Sequence, residues 1–324
     1  MSPKGGGGRG DRLMVPEVEF ESYYGKQIIK TPTWKTPDVP LYLFLGGMAG
    51  GSALLAEGAA LQDLPALEKV ARGAAAAGAG IGTVFLVHDL GRPERFLNML
   101  RVFKPTSPLS VGSFILAPFS AFATAAFGSQ VTGWFPRLGR LSGVGAAAFG
   151  PPLATYTAAL FANTAVPIWH EGHRELPFVF GGSGASAAGG VAMMLAPAAQ
   201  SGPAVRMALA GAALDLGAVE VMSRRLGMIA EPYEQGRSGR LMKAARALTT
   251  AGAGLSLLGS LGKGRRSRVA RVAAGAAFVA GSVTLRFGIF EAGLASARDP
   301  KYTVVPQKER LAAREAARAA SAPG

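Results

Sequence analysis

From residue 39 to residue 292 the chain reads as apolar blocks of about twenty residues, nearly free of charge and separated by short polar connectors. At 1.5 Å rise per residue, a helix of about twenty apolar residues crosses a hydrocarbon layer ~30 Å thick. Inside that layer every backbone N–H and C=O must be satisfied within the protein, which leaves helices as the structure for such blocks. Eight blocks are present, at about 39–60, 68–88, 108–128, 142–166, 177–198, 203–222, 243–261 and 270–292. The seventh is short and rich in Thr, Ser and Gly. The pattern predicts an all-α integral membrane protein with eight transmembrane helices over residues 38–295. An extramembrane tail (1–37) precedes them and a second tail (296–324) follows. Charged residues make up only 17% of the chain, where a soluble protein carries about a quarter.

Lys and Arg outnumber Asp and Glu by 34 to 20, a net charge of +14. In a soluble protein that excess suggests nucleic acid. Here the basic residues sit in connectors and tails, so lipid head groups account for them and no nucleic-acid partner is expected. The chain has no cysteine, which excludes disulfides, cysteine-ligated zinc and ordinary iron–sulfur clusters. His88, His170 and His173 all fall at or beyond predicted helix ends, so no haem and no other metal is expected within the membrane. Any electrons crossing this chain would travel on a bound organic carrier.

The first 35 residues are rich in Gly, Lys and Arg, then aromatic at Tyr23, Tyr24 and Trp34. They lack the apolar run of a secretory signal and predict a flexible tail, with Trp34 as an interfacial anchor. An even number of spans puts both termini on one side, with the connectors 88–107, 167–176 and 223–242 and the tail after Arg298. Connectors 61–67, 129–141, 199–202 and 262–269 fall on the other. There the cluster Lys263, Arg265, Arg266, Arg268 and Arg271, with Arg137 and Arg140, predicts a cytoplasmic face and external termini in a plasma membrane. The stretch 308–323 alternates basic residues with alanine and is expected to fray.

The glycines of the first and fifth spans predict close helix packing, because small residues let backbones approach. An ionisable residue inside a span is costly and is a functional candidate by default. Glu57, Glu220 and Glu291 lie near span ends and are expected to reach water by snorkelling. Asp215 and Arg286 lie deeper, and either a structural ion pair or a proton path accounts for them. The His88-Asp89 pair stands where the second span ends, beside a loop stiffened by prolines, with Arg92 and Arg95 near enough to bear on Asp89. A solvated surface loop is the simpler alternative for it. In the fourth span Tyr156 and Asn163 are two turns apart and share one face. That span ends at Pro167-Ile168-Trp169-His170, with Trp169 read as an aromatic belt residue.

Three stretches resemble the NrfD-type membrane subunit of polysulfide-reductase-like complexes. They are Tyr42-Leu43-Phe44-Leu45-Gly46-Gly47-Met48-Ala49-Gly50-Gly51, then Asp89 through Phe96 with Lys104-Pro105-Thr106-Ser107-Pro108, and Tyr156 to Trp169. The resemblance implies two four-helix bundles and a bound quinone (menaquinone), with no metal. It implies docking on a ferredoxin-like four-cluster iron–sulfur subunit, which meets a molybdopterin (molybdenum or tungsten) catalytic subunit. It places the quinone head group near Tyr42, Asp89 and Tyr156, and Asn163 joins them as a hydrogen-bonding group on the Tyr156 face. The residues themselves offer His88 and Asp89 at the membrane edge, with Asp215 and Arg286 inside the spans, as candidates for proton transfer. Tyr42 stands where relatives can carry histidine. The chemistry agrees, since a quinone needs donors to its carbonyls and a proton source linked to water. The expected function is a membrane anchor exchanging electrons between the iron–sulfur partner and the quinone pool of a respiratory chain. A secondary transporter would show broken helices at matching positions of two halves, with midplane charges in both. Asp215 and Arg286 have no counterpart in the first half. A structural anchor without quinone chemistry is the third reading.

Overall fold

The computed structural model describes residues 27–261 and 264–321. Tyr23, Tyr24 and the rest of the tail up to residue 26, and Lys263 of the basic cluster, lie outside the described residues. Among these residues there is no strand. In chain order the helices are α1 (Asp38–Ala60), α2 (Pro65–Asp89), α3 (Pro108–Thr132), α4 (Pro136–Ala162), the short α5 (Pro167–Glu171) and α6 (Leu176–Leu195). There follow α7 (Gly202–Leu226), α8 (Gly236–Leu261), α9 (Gly264–Arg298) and α10 (Lys301–Ser321). Eight long helices thus fall where the apolar blocks predict them. Five of them, α1, α2, α3, α6 and α9, are long and apolar enough to cross a membrane. The other three, α4, α7 and α8, fall short of that measure of length and hydropathy.

Prolines open most of these helices, at Pro65, Pro108, Pro136, Pro167, Pro177 and Pro203, where the missing N–H has no partner to lose. Glycines at left-handed φ end α3 (Gly133, φ 75) and α7 (Gly227, φ 53), a conformation other side chains resist. α8 and α9 extend well past the expected blocks. Their added turns carry Arg237, Arg240, Arg265, Arg266, Arg268 and Arg298, and arginine is a good helix former that can reach water from a helix end.

α1 and α6 pack against each other at the centre of the molecule. α2 and α4 lie on α1 with α3 bridging them, while α7 and α9 lie on α6 and α8 lies on α9. The glycines act as expected. A Cβ at Gly50 would strike the Gly150 carbonyl of α4, and one at Gly184 of α6 would strike Gly47 of α1. Backbone contact this close gains packing where lipid offers no hydrophobic drive between helices.

The C-terminal stretch corrects its expectation of a frayed tail. Residues 301–321 form α10, held at its start by Lys301 Nζ on Glu231 (2.6 Å) and further along by Arg310 on Glu171 (3.2 Å). Ion pairs to two different connectors anchor a segment that composition alone reads as solvated.

Candidate functional site

The end of α2 and the entry to α1 are laced together. The Lys35 backbone N–H donates to Asp89 Oδ1 (2.9 Å), and Lys35 Nζ donates to the His88 carbonyl (2.9 Å). A cation on the last carbonyls of a helix satisfies orphan acceptors and complements the helix dipole. His88 Nδ1 lies 2.7 Å from Asp38 Oδ2, with the imidazole largely exposed and the carboxylate buried. Asp38 stands in the first turn of α1, where the dipole favours an acid. His88 and Asp89 therefore point to different partners, His88 outward and Asp89 inward, close enough to Tyr42 to interact with it electrostatically. Among the described residues no ion pair joins Arg92 or Arg95 to Asp89, which accepts from the Lys35 backbone N–H. Sequence reading missed Lys35 and Asp38 because each reads as an ordinary helix-entry residue until α2 is packed beside α1.

Tyr156 is set by α3. A Cβ at Gly112 would collide with the Tyr156 ring, so the ring lies against bare backbone there. One face of Tyr156 lines a cleft of ≈ 400 Å³, together with Pro105, Thr106, Pro108, Val111 and Asn163. The proline-rich loop before α3 and the Tyr156–Asn163 face are thus brought to one place. Asn163 stands just past the end of α4 rather than within it. Tyr42 is 5% exposed and sits one layer deeper. Its hydroxyl receives that of Tyr156 at 3.5 Å, and it does not line the cleft. The cleft therefore offers an apolar slot with the Asn163 amide in its wall, backed by two phenols in sequence toward Asp89. Such a slot accommodates a flat ring that bears carbonyl or hydroxyl groups.

Two expected interfacial aromatics are corrected. Trp169 is fully buried and donates from Nε1 to the Ile289 carbonyl (2.8 Å), over the bare backbone of Gly293. Its ring stacks on Phe161 (4.2 Å between centroids), and half-buried Trp34 stacks on both at 5.5 Å. A buried indole with a satisfied N–H packs better here than at a lipid interface. The stack pins the 27–37 segment to α4 and α5.

The span acids also differ from expectation. Glu57 does not snorkel to water. It meets Arg72 of α2 (3.3 Å) and Arg140 (3.8 Å), and Arg72 also holds Glu68 (2.8 Å). Arg72 was missed because one arginine in the first turns of an apolar block reads as a surface residue. Glu291 is mostly buried near Arg237 (3.6 Å), and only Glu220 is well exposed, between Arg224 and Arg246. Asp215 and Arg286 are buried and close enough to interact electrostatically, and among the described residues no direct ion pair joins them. Arg286 Nη2 instead donates to the Phe180 carbonyl (2.9 Å), and the guanidinium lies 3.9 Å over the Phe180 ring, a cation–π contact.

On the same face as Asp89, the connectors 167–176 and 227–233 meet α10. Arg225 holds Glu175 (2.6 Å), and its guanidinium keeps that carboxyl below the ordinary range. Lys301 does the same for Glu231, which also accepts from the Tyr302 hydroxyl (3.2 Å). Burial, with the Glu231 charge beside it, pushes the Tyr302 phenol up to about 12. Among the described residues no group of His, Cys, Asp or Glu gathers to hold a metal.

A family model described as Polysulphide reductase, NrfD, matches residues 29–206, just over half of the chain, including the whole Tyr156 cleft. A search of curated proteins finds no match.

Proposed function

The chain belongs to the NrfD polysulphide reductase family, membrane subunits of quinone-linked oxidoreductases; from that premise we propose that it is the quinone-reactive anchor of such a complex, with the ring seated in the Tyr156 cleft. The observation that carries this reading is the cleft itself. It joins Pro105-Thr106, Tyr156 and Asn163, all within the matched region. Reduction of a bound quinone, menaquinone in this reading, takes two electrons and two protons. The Asn163 amide and the Tyr156 hydroxyl orient the ring by hydrogen bonds. Tyr42 holds the Tyr156 hydroxyl from behind, and Asp89, with His88 at the aqueous edge, holds and passes protons.

The reading includes eight spans arranged as two four-helix bundles in the plasma membrane, with both termini on the external side. Electrons enter or leave through a four-cluster iron–sulfur subunit docked on a molybdopterin catalytic subunit. The face carrying 88–107, 167–176 and α10 is the docking surface, supported by the ties of α10 to Glu171 and Glu231. Purification of the native complex tests this directly. Iron–sulfur and molybdopterin subunits should copurify, and a quinol analogue should reduce the clusters. Cross-linkers placed at Arg95, His173 and Lys308 should capture the iron–sulfur subunit. Capture at 129–141 or 264–269 instead would put the docking face, and the quinone with it, on the wrong side.

A further inference from the structure

In the half of the molecule beyond the family match, a second cleft of ≈ 690 Å³ opens between α7, α8 and the 227–233 turn. Leu216, Val219, Met242, Ala245 and Leu285 form its walls. Its rim is charged, with Glu220, Arg224, Glu234, Lys243 and Arg246. Asp215 lies at its floor, 3% exposed, and among the described residues it has neither a hydrogen bond nor an ion pair. The Tyr233 hydroxyl, also in the lining, is buried without a partner, as are Nε and Nη1 of Arg286 nearby.

A buried carboxylate and a buried phenol with no partners cost several kcal/mol in a dry interior. Water removes that cost, and the cleft has room for on the order of twenty molecules at ≈ 30 Å³ each. Arg224 lies nine residues beyond Asp215 on α7, about 14 Å along the helix, so the cleft leads from a charged rim to mid-span depth. Charged residues persist at that depth where they face a water-filled cavity or a proton relay. Gly182 of α6 packs against the Asp215 backbone, and Arg286 of α9 is the cation that acts on its carboxylate.

The geometry points to a hydrated proton-access well that runs from the face of the 227–235 connector to Asp215 and is separate from the Tyr156 cleft. In uptake, a cleft water gives a proton to an Asp215 carboxylate oxygen and is made good by a proton drawn down the water chain from outside. Release reverses this. No electron moves and no other bond changes. Arg286 stands between the well and the centre of the molecule, with one N–H on Phe180 and its guanidinium against Gly47 of α1. It therefore lies between the charge on Asp215 and α1, the helix that carries Tyr42.

The chain has no cysteine, which makes access directly measurable. Val219→Cys and Met242→Cys are introduced singly into the full complex in oriented membrane vesicles and treated with a charged, membrane-impermeant methanethiosulfonate. Both should react from the connector side and not from the other. Leu214→Cys, exposed on the outer surface beside Asp215, should not react from either side. Absence of reaction at both lining positions, or reaction equal to that at Leu214→Cys, would mean a dry cleft and overturn the proposal. Infrared difference spectra at varied pH should show a carboxyl band that shifts in deuterium oxide and disappears in Asp215→Asn. Persistence of that band in the variant would remove Asp215 as the acceptor. Neither readout needs a quinone, so each outcome is independent of the Tyr156 cleft.

Discussion

The aromatic ring of Tyr156 rests on the backbone of Gly112, one turn into α3 from the proline-rich loop. The contact fixes a side chain that faces both the cleft and Tyr42. Gly112→Ala should therefore force the ring aside. Overpacking of this kind costs ~1–3 kcal/mol, which thermal unfolding of the purified complex would read as a lowered midpoint. Quinol turnover should fall with it. An unchanged midpoint and unchanged turnover would show that the ring has another seat.

Tyr156→Phe removes only the hydroxyl and leaves the packing intact. The unpaired group left behind costs ~1–3 kcal/mol, which predicts about a tenfold loss or more in quinol turnover with assembly unchanged. Tyr42→Phe should cost less, because Tyr42 lies behind Tyr156. The two losses should not add in the double variant, since the hydroxyls contact each other. Full turnover in Tyr156→Phe would end the assignment.

Asp89→Asn keeps an oxygen to accept from the Lys35 N–H, so the tie between α1 and α2 survives. It cannot exchange a proton. Quinone should bind almost normally while turnover slows. If turnover matches the parent, Asp89 is a tether for the α1 entry and nothing more.

Lys301 lowers the Glu231 carboxyl, and this sets the sign of a pH effect at α10. A carboxyl depressed in the fold contributes stability that is fully present above its unfolded value, about pH 4.3. That stability is lost as pH falls through the lower, folded value. Acidification below about pH 4 should thus free the start of α10, and Glu231→Gln should do so at neutral pH. Proteolysis at Arg310 and Arg314 would report it. Equal cleavage rates in parent and variant at neutral pH would show that Arg310 and Glu171 hold α10 without Glu231.

Most of the helix plan was legible from apolar block length, because backbone hydrogen bonding in lipid leaves so few choices. Helix ends were less so, as in α8 and α9, where arginines continue a helix that hydropathy would stop. The resemblance carried by Tyr42–Gly51, Asp89–Phe96 and Tyr156–Trp169 pointed to residues that the fold brings near one another, with Tyr156 and Asn163 lining the cleft and Tyr42 behind Tyr156. It could not rank Tyr42 behind Tyr156, because their order depends on how α1, α3 and α4 close on one another.

The amino-acid sequence by itself determined that this is an all-helical, membrane-spanning chain without cysteine chemistry. These properties follow from counting apolar lengths and side-chain chemistries, which need no partner to be known. The tertiary structure alone decided which polar groups meet. Lys35 and Asp38 bind the end of α2, fifty residues away, Trp169 turns inward over Gly293, and Glu57 finds Arg72. Asp215 and Arg286 stay apart, one facing a cleft and the other Phe180. Each outcome depends on where a second helix passes within a few ångströms, and in this molecule that is set by glycines whose backbones touch across helices, a relationship with no local signature.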